Sequence, residues 1–146
     1  MLTNRRRIVT ALTTAGIIPF ASLALLSWYQ THFPYTSIAI DFLVLGYAAV
    51  IISFIAGTHW GVSLLTENTA RLLIWSNIIT LAAWAGLSIP DVMLSALTMI
   101  ICLSLLLWLD FKLYKSGIHP KWYIILRAAI TLGVIICLLA FALPHF

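Results

Sequence analysis

Five apolar stretches, roughly Ile8–Gln30, Ile38–Leu65, Leu72–Ile89, Val92–Leu113 and Trp122–Leu143, take up most of this 146-residue chain. Each nears or exceeds the ~20 residues that cross about 30 Å of hydrocarbon at 1.5 Å per residue. Threaded alternately, they bring all eight Lys and Arg residues (Arg5, Arg6, Arg7, Arg71, Lys112, Lys115, Lys121 and Arg127) to one face. The positive-inside rule then directs the amino terminus to the cytoplasm, or its matrix equivalent, and the carboxyl terminus outside. The expected fold is all-α: a single integral membrane bundle of five transmembrane helices over residues 1–146.

Only 8% of the residues are charged and 63% are hydrophobic, against about a quarter charged in soluble domains, so a soluble fold is excluded. The net charge of +4 does not indicate a nucleic-acid partner, because the basic residues sit at span ends and in loops on one side. That placement is an orientation signal with some attraction to anionic lipid head groups. The basic run Asn4-Arg5-Arg6-Arg7 imitates the start of a signal peptide. However, the apolar stretch after it exceeds 7–15 residues and Trp28-Tyr29-Gln30 is a poor cleavage site, so the span is expected to be retained. Cys102 and Cys137 fall near mid-bilayer on different spans without CxxC or Cys/His spacing. They are read as packing residues, and neither a metal nor a cofactor is expected.

The connectors carry the usual breakers: His32-Phe33-Pro34-Tyr35, Thr66 to Arg71, Ser88-Ile89-Pro90-Asp91, and Lys115 to Pro120. Within the first span, Pro19 is expected to kink the helix near its middle. In the second, Gly46, Ser53, Gly57 and Gly61 are spaced 7, 4 and 4 apart and fall in one stripe, a pattern that lets helix backbones approach closely in lipid. His59 lies on roughly the opposite face, near Ser63 and Thr66. A helix with one small-residue face and one polar face is expected at the centre of the bundle.

More polar groups share the depth of His59. Asn77 stands on the third span, Asp110 near the end of the fourth, and Tyr123, Arg127 and Thr131 share a face of the fifth at i, i+4, i+8. A guanidinium this far inside a span needs an acidic or carbonyl partner; Asp110 is the first candidate and Glu67 the second. His59, Asn77, Asp110 and Arg127 are thus expected to converge, with Trp60, Trp75, Trp108 and Trp122 ringing the same level. The candidate ligand-binding set is His59, Trp60, Asn77, Asp110, Tyr123 and Arg127. Set against it, the indoles also fit an ordinary aromatic belt, and an Arg–Asp pair also fits pure architecture. Asp41 and Asp91 each begin a span, where the helix dipole favours a carboxylate. His32 and His145 make a two-ligand set too small for a metal site, and only His59 lies inside a span, which disfavours bis-histidine haem. No nucleophile elbow, phosphate-cradling glycine loop or HExxH is present.

Three segments in order resemble a known family: Gly46-Tyr47-Ala48-Ala49-Val50 through Ser53 to Gly61; Leu73-Ile74-Trp75-Ser76-Asn77 with Ala83-Trp84; and Gly117 through Arg127. They look like the small multi-span proteins of unknown function of bacterial inner membranes, with a related transmembrane protein in mitochondria. The resemblance covers nearly the whole chain. It implies an inner-membrane location and an all-helical fold, and no activity. Its histidine position, here His59, also holds arginine in such proteins. That implies a cationic or hydrogen-bonding role over metal ligation or proton transfer.

Two function classes follow, and a third is weaker. The leading expectation is a non-catalytic protein that packs with a larger membrane assembly or with itself, through the Gly46/Ser53/Gly57/Gly61 stripe. The alternative is a binder, or an enzyme, for a lipid-phase ligand such as a quinone or an anionic phospholipid, gripped by Arg127 and His59. A proton or solute carrier is poorly supported, because the second span offers little beyond the Tyr47 and Ser53 hydroxyls between Asp41 and His59. Five spans also leave no room for an inverted repeat in one chain.

Overall fold

The computed structural model describes residues 2–32, 40–66 and 70–143, with side chains for residues 4–29, 40–66 and 71–143. The first two expected connectors, Glu67 as a partner for Arg127, and the His32–His145 pair fall wholly or partly outside those residues. The described chain is helical: α1 (Leu2–Ala15), α2 (Ile17–His32), α3 (Ile40–Leu65), α4 (Ala70–Gly86), α5 (Val92–Lys115) and α6 (Lys121–Ala142). The helices α1 and α2 form one rod, and four rods are long and apolar enough to cross a membrane: Asn4–Tyr29, Ile40–Leu65, Val92–Lys115 and Lys121–Ala142. With α4 as the fifth rod, the protein is an all-helical, multi-pass membrane bundle.

Three boundaries differ from the sequence expectation. The first helix starts at Leu2 and carries Arg5, Arg6 and Arg7 within it, since arginine is a good helix former. The break in that rod falls at Gly16, three residues before Pro19. Proline is harmless in the first turn of α2, where its missing N–H would have no intrahelical partner. Gly16 suits the break because a Cβ there would stand 3.2 Å from the Thr13 carbonyl, and the Tyr47 hydroxyl donates to the Gly16 carbonyl at 3.2 Å. The helix α4 ends at Gly86, short of Ile89, and residues 87–89 form tight turns onto Trp84, Ala85 and Gly86. The chain is already turning there toward Asp91, whose carboxylate caps α5 by accepting from Leu94 N at 2.6 Å. Ser95 Oγ takes the Gly86 carbonyl at 2.8 Å.

The rods pack in a ring, α2–α6–α5–α4–α3 and back to α2, with α5 also reaching α3 across the middle. Ala48, Ala83 and Ala96 are fully buried on α3, α4 and α5, so small residues let those helices approach closely, and at the end of α4 Gly86 does the same against Thr98 and Met99 of α5. Phe20, Ile52, Met99, Leu106 and Leu138 fill the centre. On the α2–α6 seam, a Cβ built at Gly133 would stand 3.2 Å from Ile17 Cδ1. The ring is closed where α2 lies and loosens where α1 takes over, since α1 touches α2 and α6 only lightly and has no buried residue among those described.

Candidate functional site

At the basic end, Asp110 collects partners from three other segments. It stands five residues before the end of α5, fully buried. His59, also fully buried on α3, donates from Nε2 to Asp110 Oδ1 at 2.9 Å. Arg127 on α6 donates from Nε to Oδ2 at 2.8 Å. His119, in the connector between α5 and α6, brings its Nε2 to 3.6 Å from Oδ1. A carboxylate only accepts, with about four lone-pair sites, so each neighbour presents an N–H or a positive charge to it. Charge-assisted bonds of this kind are about twice as strong as neutral ones.

Local structure explains the placement of His119. Gly117, at φ +76°, ends α5 by donating to Tyr114 O at 3.0 Å, while Ile118 donates to Leu113 O at 3.0 Å. That is a Schellman closure, which needs a left-handed residue at the glycine position. It turns the chain back over the end of α5, so the next residue, His119, meets Asp110 from above. Pro120 then opens α6 in extended conformation. The His119 ring lies 4.7 Å from the Tyr123 ring, one turn before Arg127.

The structure brings His59, Asp110 and Arg127 together and leaves two sequence candidates out. Asn77 faces outward on α4 and donates to Leu73 O of its own helix at 2.9 Å. Its depth matches the cluster but its direction does not. Trp60 is exposed at the rim, as are Trp75 and Trp108, in the manner of an aromatic belt. Lys112 Nζ lies 3.5 Å from the centre of the Trp108 ring. Tyr123 is half-buried beside Arg127. The small-residue stripe does not pack inside the bundle: Gly46 is half-buried, Ser53, Gly57 and Gly61 are exposed, and a Cβ at any of the three glycines would meet nothing within 4 Å. His119 is absent from the residues singled out by spans alone, yet the sequence holds a signal: His119, Tyr123, Arg127 and Thr131 recur every fourth residue.

Two atoms in this network have no hydrogen-bond partner among the described residues, His59 Nδ1 and Arg127 Nη2. Leaving a buried donor unmade costs about 1–3 kcal/mol, more when it is charged. Arg127 also lines the floor of a cleft of about 580 Å³ between α1, α3 and α6. Its walls are Val9, Leu12 and Thr13 on α1 and Ile51, Phe54, Ile55 and Thr58 on α3; Tyr123, Ile130 and Val134 extend the floor. Leu12 and Phe54 at the rim are exposed, so the cleft opens sideways. Apart from Arg127, its polar lining is hydroxyls and helix backbone. This is an apolar trough with one arginine in its lining.

A family model described as a protein of unknown function (DUF3429) matches residues 5–143. The chain belongs to this family. Within it, the DUF3429 member described here is 32% identical over 129 residues to Transmembrane protein 69 of Xenopus tropicalis, covering 85% of this chain and 49% of that one. The chain therefore spans about half the length of that relative. No solved structure matches. The matched region contains both the Asp110 cluster and the cleft, so the polar centre of this DUF3429 protein lies inside the family segment.

Proposed function

We propose that this protein binds a lipid-phase amphiphile in the cleft between α1, α3 and α6, through an oxygen-bearing head group at Arg127. The observation that carries the reading is Arg127 itself, 6% exposed, pinned to Asp110 through Nε and among the residues that line the cleft, with a buried Nη2 that has no partner among the described residues. An arginine held this way offers a planar fork to a carbonyl, carboxylate or phosphate oxygen, and the apolar walls suit a chain or ring system. The concave, mostly apolar form with one placed polar group is that of a small-molecule site. His59, Asp110 and His119 serve as supports that fix the guanidinium. The positive-inside rule sets the basic end toward the cytoplasm or its equivalent, in a bacterial inner membrane or its counterpart.

The test is native mass spectrometry of protein released gently from its own membrane, for the wild type and for Arg127→Lys. The lysine keeps a positive charge near Asp110 but removes the second donor arm. A small-molecule adduct on the wild type and its loss from a stably folded Arg127→Lys protein is the expected result. An unliganded wild type, or the same adduct at equal occupancy on the variant, would sink the reading.

A second reading, assembly with itself or a larger membrane complex, is favoured by Gly57 and Gly61, exposed on α3 with open space before them. Such a face suits close helix approach from another chain. Recovery of a free monomer after crosslinking in the native membrane would count against it.

A further inference from the structure

We infer that the cleft selects its occupant by a negatively charged phosphate head, with Arg5 and Arg6 beyond its basic end and Arg127 in the floor reading different parts of one glycerophospholipid. This rests on the reading of the cleft as a ligand site and adds the class of ligand. The geometry comes from α1. Arg5 precedes Val9 by one helical turn and so shares the face that lines the cleft. Arg6 sits seven residues before Thr13 and places its guanidinium 5.1 Å from the centre of the Trp122 ring on α6. Trp122 adjoins Tyr123, the lining residue of α6 nearest the basic end. Arg127 lies five residues beyond Trp122, about 7–8 Å deeper along the axis. Val134 is a further seven residues on, about 10 Å of apolar floor.

A neutral two-carbonyl ring would satisfy Arg127 and make no use of the charge on Arg5 and Arg6. A glycerophospholipid accounts for both levels: its phosphate at Arg5 and Arg6, an ester carbonyl at Arg127 beside Tyr123, and one acyl chain along Ile130 and Val134. The charges around the site agree. Arg127 lines it from α6, Arg5 and Arg6 stand on α1 within one turn of the lining residue Val9, and Lys121 opens α6 two residues before the lining residue Tyr123. The carboxylate near the floor, Asp110, is already bonded to His59 and Arg127 and approached by His119. The lining of α3 contributes no charged residue. Arg5 and Arg6 are exposed and take part in no ion pair among the described residues, Arg6 lying over the Trp122 ring, so no carboxylate competes for their charge.

The experiment loads the full-length protein in detergent with dioleoyl phosphatidylglycerol, dioleoyl phosphatidylcholine, dioleoylglycerol or inorganic phosphate, and reads retained mass by native mass spectrometry. It compares the wild type with the Arg5→Gln/Arg6→Gln double variant, whose thermal melt is checked first. The wild type should retain phosphatidylglycerol over phosphatidylcholine by on the order of tenfold, retain dioleoylglycerol least, and ignore free phosphate. The double variant should melt normally and bind the three lipids nearly alike. Equal retention of all three lipids by the wild type overturns the inference while the cleft reading stands. A preference that survives in the double variant removes Arg5 and Arg6 from the site and overturns it too. Tight binding of free phosphate overturns the lipid assignment, and a wild type that holds no lipid at all overturns the cleft reading beneath it.

Discussion

The two ends of the bundle are closed by different physics. At the end away from the basic residues, the seams are neutral: Trp28 Nε1 donates to Ala140 O at 2.7 Å, and Ser95 Oγ to Gly86 O at 2.8 Å. Phe141 is fully buried, and α2 packs on both α3 and α6. At the basic end a carboxylate ties three helices and a loop together, yet the ring gapes between α1 and α3. Neutral hydroxyl and indole donors onto backbone carbonyls close a seam without a buried charge. An ion cluster fixes its members strongly but must be complete, because any member removed strands the others. The end that carries the most expensive groups is also the end that is open.

The largest break in this contrast comes from Arg127→Leu. It leaves Asp110 buried with only histidine partners, and removing one partner of a buried pair costs about 3–5 kcal/mol. Reversible unfolding in mixed micelles should show that loss; an unchanged unfolding curve would mean the pair contributes nothing. At the opposite end, Gly86→Val tests close packing without charge. Its Cβ would stand 3.0 Å from Thr98 Cγ2 and 3.3 Å from Met99 Cε, and overpacking of this kind costs about 1–3 kcal/mol. Equal stability of the variant would show that this seam has slack.

The sequence made the rods and the basic end legible, because hydropathy and the K/R bias act on every residue of a span. Depth was legible too: His59, Asp110 and Arg127 share a level by counting residues. Direction was legible only in part. Asn77 matches the depth and points away, since its azimuth depends on how α4 packs and not on its own surroundings. Proline is the louder signal in the first rod, yet Gly16 makes the break. What decides it is where the missing N–H falls relative to a helix start, which requires the boundary to be known already. The stripe of Gly57 and Gly61 is a true feature of α3, but the core uses alanines and leaves that face outward. His119 reaches Asp110 through a left-handed glycine; its four-residue recurrence with Tyr123, Arg127 and Thr131 gives the face but not the turn that brings it over α5.

Smaller changes sharpen the comparison. Trp28→Phe removes one donor from the neutral seam and should cost about 1 kcal/mol, read by the same unfolding assay; no loss would assign that closure to shape alone. Tyr47→Phe frees the Gly16 carbonyl at the elbow of the first rod. The stability cost should be only about 0.6 kcal/mol, while a cysteine placed at Val9 becomes more reactive to a thiol reagent. Unchanged reactivity would show that the bond does not restrain α1. The smallest effect is expected from Gly57→Ala, which meets open space and should shift monomer stability by less than about 0.5 kcal/mol. A larger loss in the isolated monomer would place that face against something within the chain.

One feature of the ring bears on the lipid around it. The helical part of α4 runs from Ala70 to Gly86, 17 residues, or about 25 Å of rise. An average hydrocarbon layer is about 30 Å thick. Its neighbours α3 and α5 have 26 and 24 residues, more than that thickness needs, a surplus that spans take up by tilting, kinking or thickening the bilayer. Beside α4 the mismatch runs the other way, and a short span is accommodated by drawing the two leaflets together. The described helix of α4 is thus the short rod of the ring, and its flank is where thinning of the bilayer, snorkelling of flanking residues or contact with another chain would take up the difference.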